Sequence, residues 1–298
     1  MRRILAVFLV CVVAGVCRGE EENNTLSQAL QALDVREFDQ AQALFDRYIG
    51  ALPEEEQALF KDVSYLSSRS EMEIYKDADD PAEMIRRFWA RLDPSPLTQT
   101  NERLLEHYKR VAHARRHFSE GRFPWDDRGE VHIRFGAPDH ISSSRDMQME
   151  MDREIQNARI NFVNRRRLAL AIKPGQPIFP VSSMVRWEYW VYVNLDRGTE
   201  ITFVSQFPKV FEYAQIPDGL GVSLIADLMA FQGARIVQDL VSKSPSVYVP
   251  DFADLPIDFF YYPAGFRGSE GQTRLEVYYG LPASEMSRLP VNEQTDLV

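Results

Sequence analysis

Phe123-Pro124-Trp125-Asp126-Asp127-Arg128-Gly129-Glu130-Val131-His132-Ile133-Arg134-Phe135-Gly136-Ala137-Pro138-Asp139 is the stretch on which the fold turns. Its first half reads as a turn in which Trp125 is an apolar anchor, Asp127 and Arg128 bond local backbone groups, and Gly129 permits a positive φ. Its second half places Val131, Ile133 and Phe135 in alternation, which predicts a strand closed by the turn sequence Gly136-Ala137-Pro138-Asp139. Helical patterns lie before this stretch and strand patterns after it. The expected class is therefore α+β: an N-terminal helical hairpin, a central domain of helices packed on an antiparallel sheet, and a short β-rich C-terminal segment.

Upstream, residues 25 to 78 carry Leu26, Leu30, Leu33, Phe38, Ala41, Leu44, Phe45, Tyr48 and Leu52 at helical spacing. Phe38, Ala41, Phe45 and Pro53 resemble the second half of a tetratricopeptide repeat, but no second copy follows, and repeat arrays need several. A helical hairpin packed on the next domain and a peptide-binding repeat module both remain open. Asp80, Pro81 and Glu83 then mark a helix start, with Met84, Ile85, Phe88, Trp89 and Leu92 on one face. Asp93-Pro94-Ser95-Pro96 ends that helix, and Thr98 is the expected cap of the next, over about 99 to 118. Its stripe is Leu104, Leu105, Tyr108, Val111, Ala112 and Phe118, and its other side is charged. His113 and His117 lie there at ligand spacing. Arg115 and Arg116 between them, and the lack of a base-forming glutamate, speak against a metal, so solvated histidines are expected.

Downstream, a helix over about 145 to 172 is expected to interrupt the sheet. It would contain Met147, Met149 and Met151, which cannot share one helical side, and the basic run Arg165-Arg166-Arg167. That run is either a solvated helix end or a dock for an anionic partner or lipid headgroup. Val185 to Val193 and Thr199 to Ser205 predict a hairpin with a five-residue loop. Trp187, Tyr189, Val191 and Val193 share one face, and Trp190 and Tyr192 share the other with Arg186 and Glu188. The strand is then either covered twice, which is the leading expectation, or offers one face to a ligand such as a glycan. Residues 222 to 242 predict another amphipathic helix. Ile257, Phe259 and Tyr261 alternate, and a strand follows at Thr273 to Tyr279. Gly219, Gly221 and the Gly221-Val222-Ser223-Leu224-Ile225 stretch fit neither a dinucleotide fingerprint nor a nucleophile elbow, and no cofactor is expected.

Several of these motifs occur in an order similar to that of the GWxTD-domain family, found in exported proteins of several bacterial phyla. The resemblance runs through Phe88-Trp89, Asp93-Pro94-Ser95-Pro96-Leu97-Thr98, Asn101-Glu102, Tyr108-Lys109-Arg110-Val111 and Phe118. It continues through Asp127-Arg128-Gly129, Gly136-Ala137-Pro138-Asp139 and Trp187-Glu188-Tyr189-Trp190-Val191-Tyr192, covering about 80 to 215. The name-giving motif is altered. Where the family has Gly-Trp-any-Thr-Asp before Arg-Gly, this chain has Pro124-Trp125-Asp126-Asp127 before Arg128-Gly129, one residue shorter and without the threonine hydroxyl. The tail resembles the opening strands of a β-sandwich that commonly follows the family's domain. So few strands do not make a sandwich, which leaves a segment packed back on the central domain or a shortened member. The expected divisions are 20–78, 79–216 and 217–298 after a leader of 1–19. The resemblance implies no particular activity.

That leader has Arg2 and Arg3, an apolar run from Ile4 to Cys17 and then Glu20, Glu21 and Glu22, the anatomy of a secretory signal. The run is shorter than the roughly twenty residues needed to span a bilayer. Cleavage after Gly19 removes both cysteines, Cys11 and Cys17, and with them thiol chemistry. Ala14-Gly15-Val16-Cys17 also resembles a lipoprotein cleavage box, so a lipid anchor at Cys17 is the alternative route to a membrane. Cleavage takes three arginines away and moves the net charge from −10 to −13, which disfavours nucleic acid as a partner. The chain is expected in the periplasm or outside the cell, with an exported or envelope protein as partner.

Trp125, Asp127, Arg128, Gly129, Gly136, Pro138, Glu188 and Trp190 form the expected binding or structural motif. A latch between helix and sheet is the leading reading, and a polar ligand site of Asp127 and Arg128 with His132 and Glu188 at the sheet edge is the alternative. The leading expectation is a non-catalytic envelope protein that binds or scaffolds another exported component. The alternative is a hydrolase or carbohydrate-active enzyme with Asp127 and Glu188 as general acid and base, which requires carboxyls within about 10 Å and free of backbone contacts.

Overall fold

A computed structural model describes residues 23–76, 78–95, 99–166, 170–182, 184–207, 209–217, 222–250, 260–268, 272–280, 288–291 and 294–297. The expected signal segment, Thr98, Arg167, Ile257 and Phe259 lie outside them. Two units divide the chain, one reaching to Pro250 and one beginning at Asp251. The fold is α+β, with the helices gathered toward the N-terminus and strands toward the C-terminus.

The first unit opens with α1 (23–34), α2 (Phe38–Ala51), α3 (Glu54–Lys61), α4 (Arg69–Lys76), α5 (Pro81–Leu92) and α6 (Glu102–Phe118). Helix α5 starts as the sequence dictates, with the Asp80 carboxylate accepting from the Glu83 N–H at 3.0 Å and Pro81 in the first turn. The cap of α6 is Asn101, whose side chain accepts from the Leu104 N–H at 2.9 Å while its amide donates to the Trp89 carbonyl at 2.7 Å. One side chain thus caps α6 and ties it to α5. Helices α2 and α3 pack on α6, and one core runs from Leu26 through Phe45, Phe60 and Trp89 to Ile133.

His113 and His117 are exposed, as expected, but most of the rest of the polar side of α6 is not, which corrects the expectation of a solvated side. Arg103, His107 and Arg110 are buried along with Leu105 and Val111, because α2, α3, α5 and α7 pack around α6. Arg110 is occupied by the carbonyls of Ile133, Arg134 and Val247 at 3.3, 3.3 and 2.9 Å.

The predicted strand over 131–135 is also corrected: Asp127–Phe135 is a helix, α7. Val131 and Phe135 enter the core on the sheet side, while Ile133 enters the helical core on the opposite side. A helix packed between two layers is apolar on both sides, and over one short segment that mimics the two-residue period of a strand.

After α7 come β1 (His140–Ser143), α8 (Arg153–Arg165), β2 (Arg186–Tyr192), β3 (Thr199–Phe207), β4 (Val210–Tyr213), α9 (Val222–Leu228) and α10 (Gly233–Lys243). The strands form an antiparallel sheet in the order β1-β2-β3-β4, with Trp190 opposite Ile141 and Ile201. The inserted helix is shorter than expected. Asp152 caps it by accepting from the Glu154 N–H at 2.6 Å, so Met147, Met149 and Met151 precede it and are exposed. The expected helix over 222 to 242 divides into α9 and α10, with Gly233 beginning the second.

Both faces of β2 are covered, as its aromatics require. Trp190 and Tyr192 meet α7 and α10 in one core; Trp187, Tyr189 and Val191 meet Ala158 of α8 in another. Under α8 the Arg159 guanidinium, 1% exposed, donates to Glu200 at 2.7 Å, to Glu150 and to the Gln176 carbonyl at 2.5 Å. Tyr189 donates to Glu150, whose other oxygen accepts from the Gly175 N–H at 3.0 Å. Burial works to raise the Glu150 pKa, but these hydrogen bonds outweigh it and leave the carboxyl below its usual range. For Glu200 burial prevails over Arg159 and the carboxyl is raised. Among the described residues no helix is long and apolar enough to cross a membrane.

The second unit contains two hairpins, β5 (Phe260–Arg267) with β6 (Thr273–Gly280), and β7 (Arg288–Val291) with β8 (Gln294–Leu297).

Removing one partner of a buried ionic group strands the others. Arg159→Met should lower urea-unfolding stability by about 3–5 kcal/mol, and adding Glu150→Gln and Glu200→Gln should restore much of it. A triple variant no more stable than Arg159→Met would show that the arginine acts by packing alone.

Candidate functional site

The turn before α7 is organised by its tryptophan. Trp125 is 5% exposed and sits in the helical core with its ring 5.6 Å from that of Tyr65. One turn on, Gly129 lies inside α7, where any Cβ would land on the Trp125 ring. The expectation that Gly129 serves a positive φ is thus corrected: it is glycine because the indole occupies the space of a side chain. Gly136 has a positive φ, 82°, where it caps α7 with its N–H on the His132 carbonyl at 2.8 Å.

Two adjacent carboxylates join the start of α7 to the edge strand β4. The Asp126 carboxylate caps α7 by accepting from the Arg128 N–H at 3.1 Å, and it also accepts from the Phe211 N–H at 3.0 Å. Asp127 accepts from the Tyr213 N–H at 2.8 Å. Residues 211 and 213 alternate along β4, whose outward N–H groups have no strand to pair with among the described residues, so the two aspartates take the place of a neighbouring strand. The helix N-terminus favours the same negative charges.

Arg128 reaches inward from this junction. Its guanidinium lies 4.0 Å from the centroid of Phe211 and 4.9 Å from that of Phe118, and donates to Asp126 at 2.7 Å. It also donates to Glu188 at 3.4 Å, and the other oxygen of Glu188 accepts from the Trp190 indole at 2.6 Å. Of the expected motif, Arg128, Glu188 and Trp190 therefore meet directly, and Asp127 is joined to them through β4. The Gly136 carbonyl accepts from the Tyr192 hydroxyl at 3.0 Å, outside this cluster, and Pro138 lies in the link to β1. Asp126 and Phe211 were missed. An aspartate just before an apolar run is a cap signal, but the strand reading of 131–135 concealed it.

Residues 47–174 match the family model of the GWxTD domain. The chain carries a GWxTD domain. The matched range takes in α3 to α8 and β1, whereas Trp187 to Tyr192 lie beyond it. No curated protein and no solved structure matches the chain.

In this GWxTD domain the polar groups of the altered name motif are turned to internal partners. The Asp127 carboxyl is held above its usual range, chiefly by burial, against the Tyr213 hydrogen bond. Both carboxylates expected to act as an acid and base pair accept internal hydrogen bonds, Asp127 from backbone and Glu188 from an indole and a guanidinium. What this geometry does chemically is hold helix, turn and sheet in one register.

The exposed His113 and His117 of α6 are joined by His132 of α7, which stacks on His113 with ring centroids 4.2 Å apart. His113 and His117 are 4.4 Å apart. The His113 and His117 rings are tilted by 36°, and among the described residues no group of three acidic, histidine or cysteine side chains is placed to hold a metal ion. Burial pushes His132 down to about 3, with the His113 charge second. His107, whose Nε2 lies 3.1 Å from the Phe60 carbonyl, is pushed down to about 3 by burial and then by Arg103.

Unfolded imidazoles titrate near 6.5, so the stability gained by keeping these two rings neutral is complete above that pH. It is lost as pH falls from there toward the folded values, at about 2 kcal/mol per ring between pH 6.5 and 5. Urea unfolding at pH 7 and pH 5 should therefore show a marked loss at pH 5, and His132→Gln should reduce that loss; an equal loss in the variant would exclude His132 as its source. At pH 7, Trp125→Ala should cost about 3–5 kcal/mol. Gly129→Ala, which adds a single methyl, should also destabilise measurably; melting like wild type in Gly129→Ala would contradict the packing of indole on glycine.

Proposed function

We propose that this protein is a non-catalytic component of the bacterial cell envelope that binds or scaffolds another exported protein. The observation that carries the reading is the β5–β6 hairpin. Tyr262 and Phe266 on one face, and Tyr261, Leu275, Val277 and Tyr279 on the other, are 46% to 77% exposed. Among the described residues each strand pairs only with the other. A two-stranded ribbon is marginal alone, and large apolar groups exposed on both faces, beside open strand edges, suit coverage and strand addition by a partner.

Export rests on the signal-like leader, which ends before an acidic segment. Acid–base catalysis by Asp127 and Glu188 is disfavoured by the internal hydrogen bonds that both accept. A photoreactive residue at Val277 or Tyr279 should crosslink to a second envelope protein in cells, whereas one at exposed Glu154 should not. Equal capture at all three positions, or none at the hairpin, would overturn the binding reading. The mature chain should begin at Glu20: an intact Met1 would overturn export, and a lipid-modified Cys17 would make the protein anchored.

A further inference from the structure

The basic run at the end of α8 borders a cavity of about 450 Å³ between that helix, the 195–197 turn and α10. Four cations, Arg165, Arg166, Arg235 and Lys243, line it against two carboxylates, Asp196 and Asp239. A surplus of positive charge is thus gathered in one concavity of a chain whose net charge is −10.

Arg165, the last residue of α8, and Arg166, its C-cap, are fixed by neutral groups. The Arg166 guanidinium lies 3.9 Å from the centroid of Phe162 and 5.7 Å from that of Phe231, and its Nε donates to the Ala230 carbonyl at 2.7 Å. Arg165 donates to the carbonyls of Arg197, at 3.0 Å, and Gly198. Neither forms an ion pair with a carboxylate among the described residues, nor does the exposed Arg235. Burial, with the Arg165 charge second, pushes the Arg166 pKa down to about 10 against the opposing pull of Asp196 and Asp239. Lys243 lies 3.4 Å from Asp196, a pair well exposed to water.

The 195–197 turn adds an independent observation. Asp196 and Arg197 both have positive φ, 49° and 62°, although neither is glycine. Two such residues in succession cost on the order of 1 kcal/mol or more each, and backbone held in this way concentrates at ligand sites. Here it brings the Arg197 carbonyl to Arg165 and places Asp196 on the cavity wall.

We propose that this cavity binds the phosphate group of a phosphomonoester. Four cations against two carboxylates leave the charge needed for a dianion, and guanidinium groups match phosphate oxygens in planar, two-point contacts. The volume exceeds that of phosphate alone and suits an ester carrying a small organic group. A soluble ester and a lipid headgroup share this chemistry. The proposal is independent of the hairpin's role.

The test uses the full mature chain at low salt: calorimetric titration with glycerol 3-phosphate, and co-sedimentation with phosphatidylcholine vesicles with and without phosphatidic acid. Saturable binding to the soluble ester is expected if the ligand is free, and binding only to vesicles with phosphatidic acid if it is a headgroup; either supports the site. Arg235→Gln with Lys243→Gln, both at exposed positions, should weaken binding by about tenfold or more with melting unchanged. Asp239→Asn should strengthen it. No saturable binding to either probe, or unchanged affinity in the double variant, would overturn the proposal.

Discussion

No residue of α7 is exposed, and that burial governs where the polar groups around it must point. A helix enclosed by a helical layer on one side and a sheet on the other has to satisfy its termini and charged side chains without bulk water. Asp126 and Asp127 do so with the N–H groups of β4, Arg128 with Asp126 and Glu188, and Gly136 with the last turn. Arg134, half-buried at the far end, donates to the carbonyls of Tyr65 and Pro245. The partners come from helix, strand and the chain after α10, so one short helix fixes the relative position of all three.

The opposite face of the sheet follows the same rule with different means. There α8 covers Trp187, Tyr189 and Val191, and its arginine draws two glutamates and two loop carbonyls into the interior. A guanidinium with five donors can bind that many acceptors at once, which an ammonium cannot. The segment from Glu150 to Ile178 is thereby anchored to the sheet through side chains rather than strand pairing.

Much of the architecture was legible in the residues. The start of α5 has its carboxylate cap, and the β2–β3 hairpin has both its alternation and its turn. The two-sided aromatic pattern of β2 correctly implied two covering layers. Of the candidate site, Arg128, Glu188 and Trp190 do meet, but the purpose of Gly129 was misread because the indole that fills its Cβ space comes from the preceding turn. Asp126 and Phe211 escaped notice for a related reason: an edge-strand N–H acquires its partner only when the strand has been placed. His132 joined the two histidines of α6 only once its segment became a helix.

The sequence by itself determined the α+β class, the helices α5 and α6, the β2–β3 hairpin, the acidic charge and the family motifs, because caps, turn residues and periodicity act over a few neighbours. Only the tertiary structure decided that Asp127–Phe135 is a helix, that α6 buries Arg103, His107 and Arg110, and that Arg165 and Arg166 at the end of α8 share a cavity with Arg235 and Lys243 of α10. Each of these depends on what lies across a layer. Apolar residues on two sides of a short helix and on one side of a strand give the same local pattern, and enclosure distinguishes them.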